Sequence, residues 1–293
     1  MNQQLHIAAT TNTKFLEPLQ VCLLSVLQNN SASAIKFSII DDHLSPANRR
    51  SFDILLDNFD NCDEITFLTP NEKSYMPAIT DNRIPSAAYY RLDLPQMLPH
   101  SNRLLYLDCD MICEKSLVPL WKNNLVGKVV GAVEDAGYVS RLAEMGVTCR
   151  DHTYFNSGLL LIDMQAWRAQ HITEQARRFI HDHGEQLVYH DQDVLNAVLA
   201  DNWCYLHPRF NVQSRLVRKE QINPQPARER LAEAARQLPT MIHYSGRSKP
   251  WLGEDDGVRL HPWRRVYQEY AAELQRLRRN DASHRWLAYA KEE

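Results

Sequence analysis

The 293 residues are enough for one large α/β domain or two small ones with an ample core, and 44% hydrophobic with 24% charged residues is ordinary for a soluble globular chain. A formal charge of −3 argues against a nucleic-acid partner, and no window approaches the roughly 18 continuous apolar residues that a spanning helix needs. The start of the chain has neither a basic segment nor a sustained apolar run, so no secretory signal is expected and a cytoplasmic protein is.

His6 to Ala9 reads as a first strand, followed by a polar turn at Thr10-Thr11-Asn12-Thr13. Phe15, Leu19, Cys22, Leu23, Val26 and Leu27 then fall on one helical face. Lys36 to Ile40 is a second strand ending in Asp41-Asp42, and Ser45-Pro46 starts a helix with Ser as cap and Pro at the first helical position. Phe52, Ile54, Leu55 and Phe59 carry its apolar face. Glu64 to Leu68 is a third strand, and Ala87 to Leu92 a short helix bearing Tyr89, Tyr90 and Arg91. Leu104 to Leu107 is the fourth, and Val129 to Val133 and Leu159 to Ile162 are further buried runs. Asp191 to Leu199 reads as a helix that buries Val194, Leu195, Val198 and Leu199. Gln221 to Pro226 is a proline-rich surface connection. This alternation predicts an α/β fold with a mainly parallel central sheet flanked by helices. Residues 1–257 form the main domain in this reading, and 258–293 a small, basic, aromatic-rich helical extension. The six cysteines are scattered as reduced, mostly buried thiols usually are.

Four clusters carry chemistry. The apolar run 104–107 ends in Asp108 and Asp110, one residue apart. Alternation on a strand points both carboxylates to one side and Cys109 to the other. Open α/β sheets place their ligands at the carboxyl ends of such strands. Two bare carboxylates there repel each other, and a hard divalent cation is the natural partner; two solvated acids after a strand are the plain alternative. The second cluster is His243-Tyr244-Ser245-Gly246-Arg247-Ser248-Lys249-Pro250-Trp251. A histidine could add a nitrogen ligand, which favours Mn²⁺ over Mg²⁺, while Gly246 and Lys249 suit a diphosphate. The third is Tyr154-Phe155-Asn156-Ser157-Gly158, where Asn156 offers a donor and an acceptor to sugar hydroxyls or simply turns into a strand. The fourth, Tyr189-His190-Asp191-Gln192-Asp193, opens a helix and has more polar groups than the one acid that capping needs. Neither a P-loop nor a dinucleotide fingerprint occurs.

In order and spacing, the Leu-Tyr-Leu-Asp-Cys-Asp strand end, Phe-Asn-Ser-Gly, His-Asp-Gln-Asp and His-Tyr-Ser-Gly-Arg-Ser-Lys-Pro-Trp resemble glycosyltransferase family 8, from about Leu5 to Trp251. These are retaining GT-A transferases that include bacterial lipopolysaccharide galactosyl- and glucosyltransferases. The resemblance implies a GT-A-like fold and Mn²⁺, with Mg²⁺ as alternative, held by Asp108, Asp110 and His243. It puts Lys249 and the Gly246 backbone on the diphosphate of a UDP-hexose, and Ala8 and Asn12 near the nucleoside. Arg91, Asp135, Asn156, Asp191 and Gln192 surround the donor sugar, with Gln192 and Asp191 the catalytic candidates. Galactose or glucose would pass to a glycan acceptor, expected to be lipid-linked lipopolysaccharide, lipooligosaccharide or another cell-surface glycan. One position departs from the pattern: Thr10 stands where the family often has an acid two residues before the asparagine, which bears on uracil as the base.

Leaving-group charge on a diphosphate calls for a dication and Lys249, and the cationic sugar carbon for a polar group on its β face, Gln192. An amide is a poor nucleophile, which favours a short-lived ion pair. Two other classes compete. A haloacid-dehalogenase-type phosphatase would use Asp108 as nucleophile and Asp110 as acid, with Glu254-Asp255-Asp256 as a later acidic motif. A non-catalytic sugar-nucleotide binder would not need Gln192. At the C-terminus eight basic residues (Arg259, Arg264, Arg265, Arg276, Arg278, Arg279, Arg285, Lys291) interleave with Trp263, Tyr267, Tyr270, Leu274, Leu277, Trp286 and Tyr289. Such a helix can touch the cytoplasmic face of an anionic inner membrane, or pack its Tyr267–Leu277 stripe onto the domain.

Overall fold

The computed structural model describes residues 4–71, 86–137, 140–150, 153–219, 226–252 and 260–289. Residues 221–225 of the expected connection, Glu254-Asp255-Asp256, Arg259 and Lys291 lie outside them, as do the side chains of Arg285, Trp286 and Tyr289.

The strands in chain order are β1 (Gln4–Asn12), β2 (Ala34–Asp42), β3 (Cys62–Leu68), β4 (Arg103–Leu107), β5 (Met111–Cys113), β6 (Val130–Glu134), β7 (Phe155–Asp163), β8 (Trp203–Tyr205), β9 (Val212–Gln213) and β10 (Met241–His243). Seven of them make one sheet in the order β3-β2-β1-β4-β7-β6-β8. Pairing is parallel from β3 to β4, antiparallel on both sides of β7, and parallel again between β6 and β8. The chain thus has the mainly parallel sheet that its alternating pattern predicts. Side-chain alternation divides its core in two. Leu5, Ile7, Leu105, Leu107, Leu159 and Leu161 pack on one face with the Leu16–Asn29 helix. Ala8, Leu104, Tyr106, Leu160 and Ile162 pack on the other with the Ile172–His183 and Asp191–Val198 helices. Strands this apolar on both faces belong at a sheet's centre.

Several boundaries differ from the sequence reading. Thr10, Thr11 and Asn12 continue β1, because their backbones pair with Ile40, Asp41 and Asp42 of β2. Phe155 to Gly158 belong to β7 itself, rather than to a turn before it. Residues 87–92 lie in a 3₁₀ segment, Ser86–Asp93. Ser45 caps as expected, its Oγ accepting from Asn48 N–H at 3.1 Å, but the helix it starts ends at Arg50 and a second spans Asp53–Asn58. Val198 is only partly buried.

The second sheet was not legible in the sequence. Its order is β5-β10-β9, from strands of two or three residues. Antiparallel pairing sets His243 opposite Met111, and Tyr244 N–H donates to Asp110 O at 3.0 Å. Residues 132 and 134 positions apart in the chain are thereby fixed side by side.

The Arg264–Tyr289 helix packs its apolar stripe onto this body. Tyr267, Leu274 and Leu277 are buried in the same cluster as the Leu16–Asn29 helix. The Tyr270 hydroxyl accepts from Asn29 Nδ2 at 2.9 Å, and Arg278 pairs with Glu17 at 2.8 Å. That stripe faces the core and not a membrane. Arg265, Arg276 and Arg279 stay exposed.

Candidate active site

Asp108 follows the apolar run and Asp110 leads into β5; residues 108–110 lie in the connection between β4 and β5, where half-buried Cys109 packs against the core and both carboxylates face the cavity. One oxygen from each carboxylate and one ring nitrogen of His243 lie within 4.8 Å of one another. His243 Nε2 is 3.3 Å from Asp110 Oδ1 and 3.8 Å from Asp108 Oδ2. Its Nδ1 lies 3.0 Å from Asn211 Oδ1, an atom that can only accept. That contact places a proton on Nδ1 and aims Nε2 at the carboxylates, the orientation metal-binding histidines adopt. Gly158 makes the approach possible: a Cβ there would stand 2.4 Å from His243 Cε1 and 2.9 Å from Asp108 Oδ2. Two oxygens and one imidazole nitrogen in a cradle kept clear by glycine fit a divalent cation such as Mn²⁺ or Mg²⁺.

The surrounding charges are arranged to tolerate these acids. Lys249 forms an ion pair with Asp110 and also donates to Tyr244 O at 2.9 Å. Burial alone would raise the Asp110 pKa, but Lys249 and His243 outweigh it and hold the carboxyl well below the usual range. Lys249 is conversely raised, Asp110 overcoming the effect of burial. Arg91 serves the other side. It donates from Nη2 to Asp108 Oδ1 at 2.9 Å and from Nη1 to Ser157 O at 3.0 Å, and its Nε is 3.2 Å from Asp191 Oδ2. The guanidinium also stacks 4.3 Å from the Tyr106 ring. Asp191 is pushed up to about 6, chiefly by burial, with Arg91 opposing and Asp108 adding repulsion.

A hydrogen-bonded chain extends from His243. Asn211 Nδ2 donates to Asn156 Oδ1 at 2.8 Å, and Asn156 Nδ2 donates to Asp135 Oδ2 at 3.0 Å. Gln192 accepts at Oε1 from Ser157 N–H at 3.0 Å, and its Nε2 lies 3.3 Å from Asp135 Oδ2. Burial is the main cause that raises Asp135, with the bonds from Asn156 and Gly137 working against it.

The expected capping acid is not one. His190 holds the cap position, in a backbone conformation (φ 50°, ψ −116°) that costs energy outside glycine, and makes no side-chain capping bond. Asp193 is instead fully buried, accepting from Arg141, from the Tyr154 hydroxyl at 2.7 Å, and from the N–H groups of Val188 and Tyr189 at 2.7 and 2.9 Å. It fastens the loop that presents His190.

These groups line a cavity of about 510 Å³. Of the sequence candidates, Arg91, Asp108, Asp110, Asp135, Asn156, Asp191, Gln192, His243 and Gly246 are on its wall, Gly246 with a φ of +83° that suits glycine. Lys249 reaches the wall through Asp110. Ala8 is fully buried in the core, and Asn12 Oδ1 accepts from Lys14 N–H at 3.0 Å; neither is on this wall. Gln213, Ser214, Arg215 and Arg218 line the cavity unforeseen. The sequence signal for them was weak: a polar-basic stretch after the single apolar residue of a two-residue strand.

Comparison with known proteins agrees with this geometry. The model of the family described as Glycosyl transferase family 8 matches residues 6–255. The chain is 34% identical over 271 residues to General stress protein A of Bacillus subtilis, covering 91% of this chain and 92% of that protein. It is 28% identical over 260 residues to the lipopolysaccharide glucosyltransferase WaaO of Escherichia coli K12, covering 85% of this chain and 73% of that one. The crystal structure of the galactosyltransferase LgtC in complex with donor and acceptor sugar analogues superposes with a TM-score of 0.79 at 24% identity, over 92% of this chain and 96% of that one. The chain belongs to glycosyl transferase family 8 and has the GT-A-like α/β fold. The phosphatase alternative falls with that membership.

The raised carboxyl of Asp191 gives a pH prediction. Its folded-state pKa of about 6 lies above the ordinary 3.8. Its contribution to stability is therefore full below about pH 4 and lost as pH rises through about 6. In urea unfolding of the metal-free protein, Asp191→Asn is expected to flatten the stability change between those limits; an unaltered slope would show that Asp191 titrates normally.

Proposed function

We propose that this glycosyltransferase moves a hexose, galactose or glucose, from a UDP-sugar to a glycan acceptor with retention of configuration. The observation that carries the reading is the convergence of Asp108, Asp110 and His243 with Gln192 and Asp191 in one cavity. A divalent ion held by the first three, Mn²⁺ by preference because nitrogen joins the oxygens, would supply Lewis-acid stabilisation of charge on the departing diphosphate. Lys249 and the Gly246 backbone hold the diphosphate in this proposal. The end of β1, from Ala8 to Asn12, carries the nucleoside. Arg91, Asp135 and Asn156 orient the sugar. Gln192, fixed by Ser157 N–H, is the polar group beside the anomeric carbon, and Asp191 stands next to it. A fixed amide stabilises a short-lived cation better than it forms a covalent bond, so the acceptor hydroxyl attacks the ion pair from the face the diphosphate leaves. Residues 1–257 are the proposed catalytic unit and 258–293 its extension.

Two variants test the chemistry. Asp110→Asn is expected to lower Mn²⁺-dependent turnover of UDP-galactose or UDP-glucose on the order of 10²-fold or more, with circular dichroism checking the fold in parallel. Turnover unchanged in EDTA would overturn the metal-dependent reading. Gln192→Ala is expected to lower kcat while UDP affinity, read by calorimetry, stays near that of the parent; a loss of UDP affinity with kcat intact would move Gln192 from the sugar to the nucleotide.

The acceptor is proposed to be a lipid-linked cell-surface glycan such as lipopolysaccharide, met at the cytoplasmic face of the membrane. Relatives named for lipopolysaccharide transfer support this. Among the described residues no helix is long and apolar enough to cross a membrane. With the Tyr267–Leu277 stripe buried, contact would rest on the exposed arginines and be electrostatic. Flotation with anionic vesicles is expected to retain the protein at low salt and release it at high salt. Equal recovery with neutral and anionic vesicles would reject peripheral binding.

A further inference from the structure

Of the polar cluster 189–193, Asp191 and Gln192 belong to the proposed donor site and Asp193 fastens the loop, which leaves His190 unassigned. Its backbone sets it apart. His171 and Lys219 also have positive φ, but with ψ of 41° and 32° they sit in the left-handed helical region that other residues reach at modest cost. His190 combines φ 50° with ψ −116°. Gln192 N–H donates to Tyr189 O at 3.0 Å, so residues 189–192 close a type II′ turn. His190 holds its first central position, the place of glycine. Strain of this kind persists only where the surroundings impose it. Asp193 imposes it by accepting from Val188 and Tyr189 N–H while Arg141 and Tyr154 hold its carboxylate, and Val194 N–H donates to His190 O at 3.1 Å.

Glycine would make the same turn, aim Asp191 and Gln192 the same way and remove the cost. The backbone's task therefore does not account for the imidazole. Burial returns little either, because the ring is only half-buried. It meets Tyr89 edge-on, with 6.3 Å between centroids, and its Nδ1 lies 3.4 Å from the Tyr89 hydroxyl. That contact is long for a hydrogen bond, and it steadies the ring's rotation more than it stabilises the fold. What the side chain does reach is the catalytic cavity, whose wall it lines.

The neighbours of His190 fix which part of the cavity that is. Tyr89 belongs to the 3₁₀ segment that also carries Arg91, and Arg91 Nε is 3.2 Å from Asp191 Oδ2. His190 thus stands between two elements that each bring a residue to the sugar end of the proposed donor site. From Gln192 to Val188 the chain climbs that wall from floor to rim. Gln192 and Asp191 are 9% and 7% exposed, His190 and Tyr189 half-buried, and Val188 56% exposed. We propose that the strained turn exists to hold the His190 imidazole against the transferred hexose, where it hydrogen-bonds a hydroxyl on the outer side of the sugar. This rests on the UDP-sugar reading above and adds a residue that reads the hexose itself. A ring nitrogen can donate to a hydroxyl or accept from it, and a ring steadied by Tyr89 favours one hydroxyl position over others.

Two variants of the full chain separate the side chain from the backbone. His190→Gly removes the ring and the strain together, whereas His190→Ala removes the ring and keeps the strain. Calorimetry with Mn²⁺ compares UDP, UDP-galactose and UDP-glucose as probes. Both variants are expected to bind the parent's preferred UDP-hexose ~5-fold or more weakly, with UDP affinity held within about twofold of the parent. In thermal melts His190→Gly is expected to unfold about 2 °C or more above His190→Ala, and no lower than the parent. A residue kept for the fold alone would not combine unimpaired stability with a loss confined to the sugar. Unchanged UDP-hexose affinity in His190→Gly overturns the proposal. An equal loss for UDP and UDP-hexose overturns it too, by moving His190 to the nucleotide. So does a glycine variant that melts no higher than the alanine one, since the turn would then carry no strain. If His190→Ala fails to fold, the glycine variant decides against the parent by the same affinities. A parent that binds UDP but neither UDP-hexose, or none of the three, strikes the donor reading instead.

Discussion

Carboxylates repel one another and resist losing water, yet Asp108, Asp110, Asp135 and Asp191 all face one cavity and three of the four are buried. The fold answers with cations that are themselves locked in place. Arg91 is the central one. Its three nitrogens reach Asp108 on the strand end, Ser157 on β7 and Asp191 at the start of a helix, while its plane lies against Tyr106. Removing such a cation would leave uncompensated buried charge, which commonly costs about 3–5 kcal/mol. The 3₁₀ segment that carries Arg91 is therefore as much a part of the site as the strand that carries the acids.

A second constraint acts through the small sheet. Strands of two or three residues contribute little stability alone, but β5 and β10 fix His243 beside Asp110 through backbone pairing. From His243 a line of hydrogen bonds runs through Asn211 and Asn156 to Asp135, with Gln192 joined at its end. Buried networks of this kind are rigid when every member is satisfied. The diphosphate end and the sugar end of the proposed donor site are held in one register, so displacement of the histidine would be felt at the glutamine.

The parts of this arrangement that the sequence disclosed were those with strong local signatures. Leu104–Leu107 and Leu159–Ile162 are continuous apolar runs, and such runs identify buried strands. The Asp-Cys-Asp pair was visible because it ends the first of these runs, and His243 and Gln192 because they lie in polar clusters that resemble a family's motifs. What was hidden depended on long-range pairing. β5, β9 and β10 are too short to show a period, and Phe155–Gly158 looked like a turn because Asn, Ser and Gly favour turns, although the pairing of Asn156 with Val133 makes it strand. One acid of the 189–193 cluster read as a helix cap; Asp193, in the first turn, instead binds Arg141, a partner distant in the chain.

The same distinction separates the two sides of the cavity. One side, with Asp108, Asn156 and Gln192, is made of strand ends and a closed polar network, where few substitutions leave every partner satisfied. The other side is a five-residue helix and a loop, held to each other by the Ser214–Ser245 contacts. Arg247 is exposed on that loop, and the guanidinium of Arg215 lies against Gly137. Changes of charge on such elements disturb little else, since they neither break a ladder nor empty a core. A fold that keeps its buried carboxylates and polar network on rigid strands can therefore vary the other edge of its cavity by exchanging a few side chains.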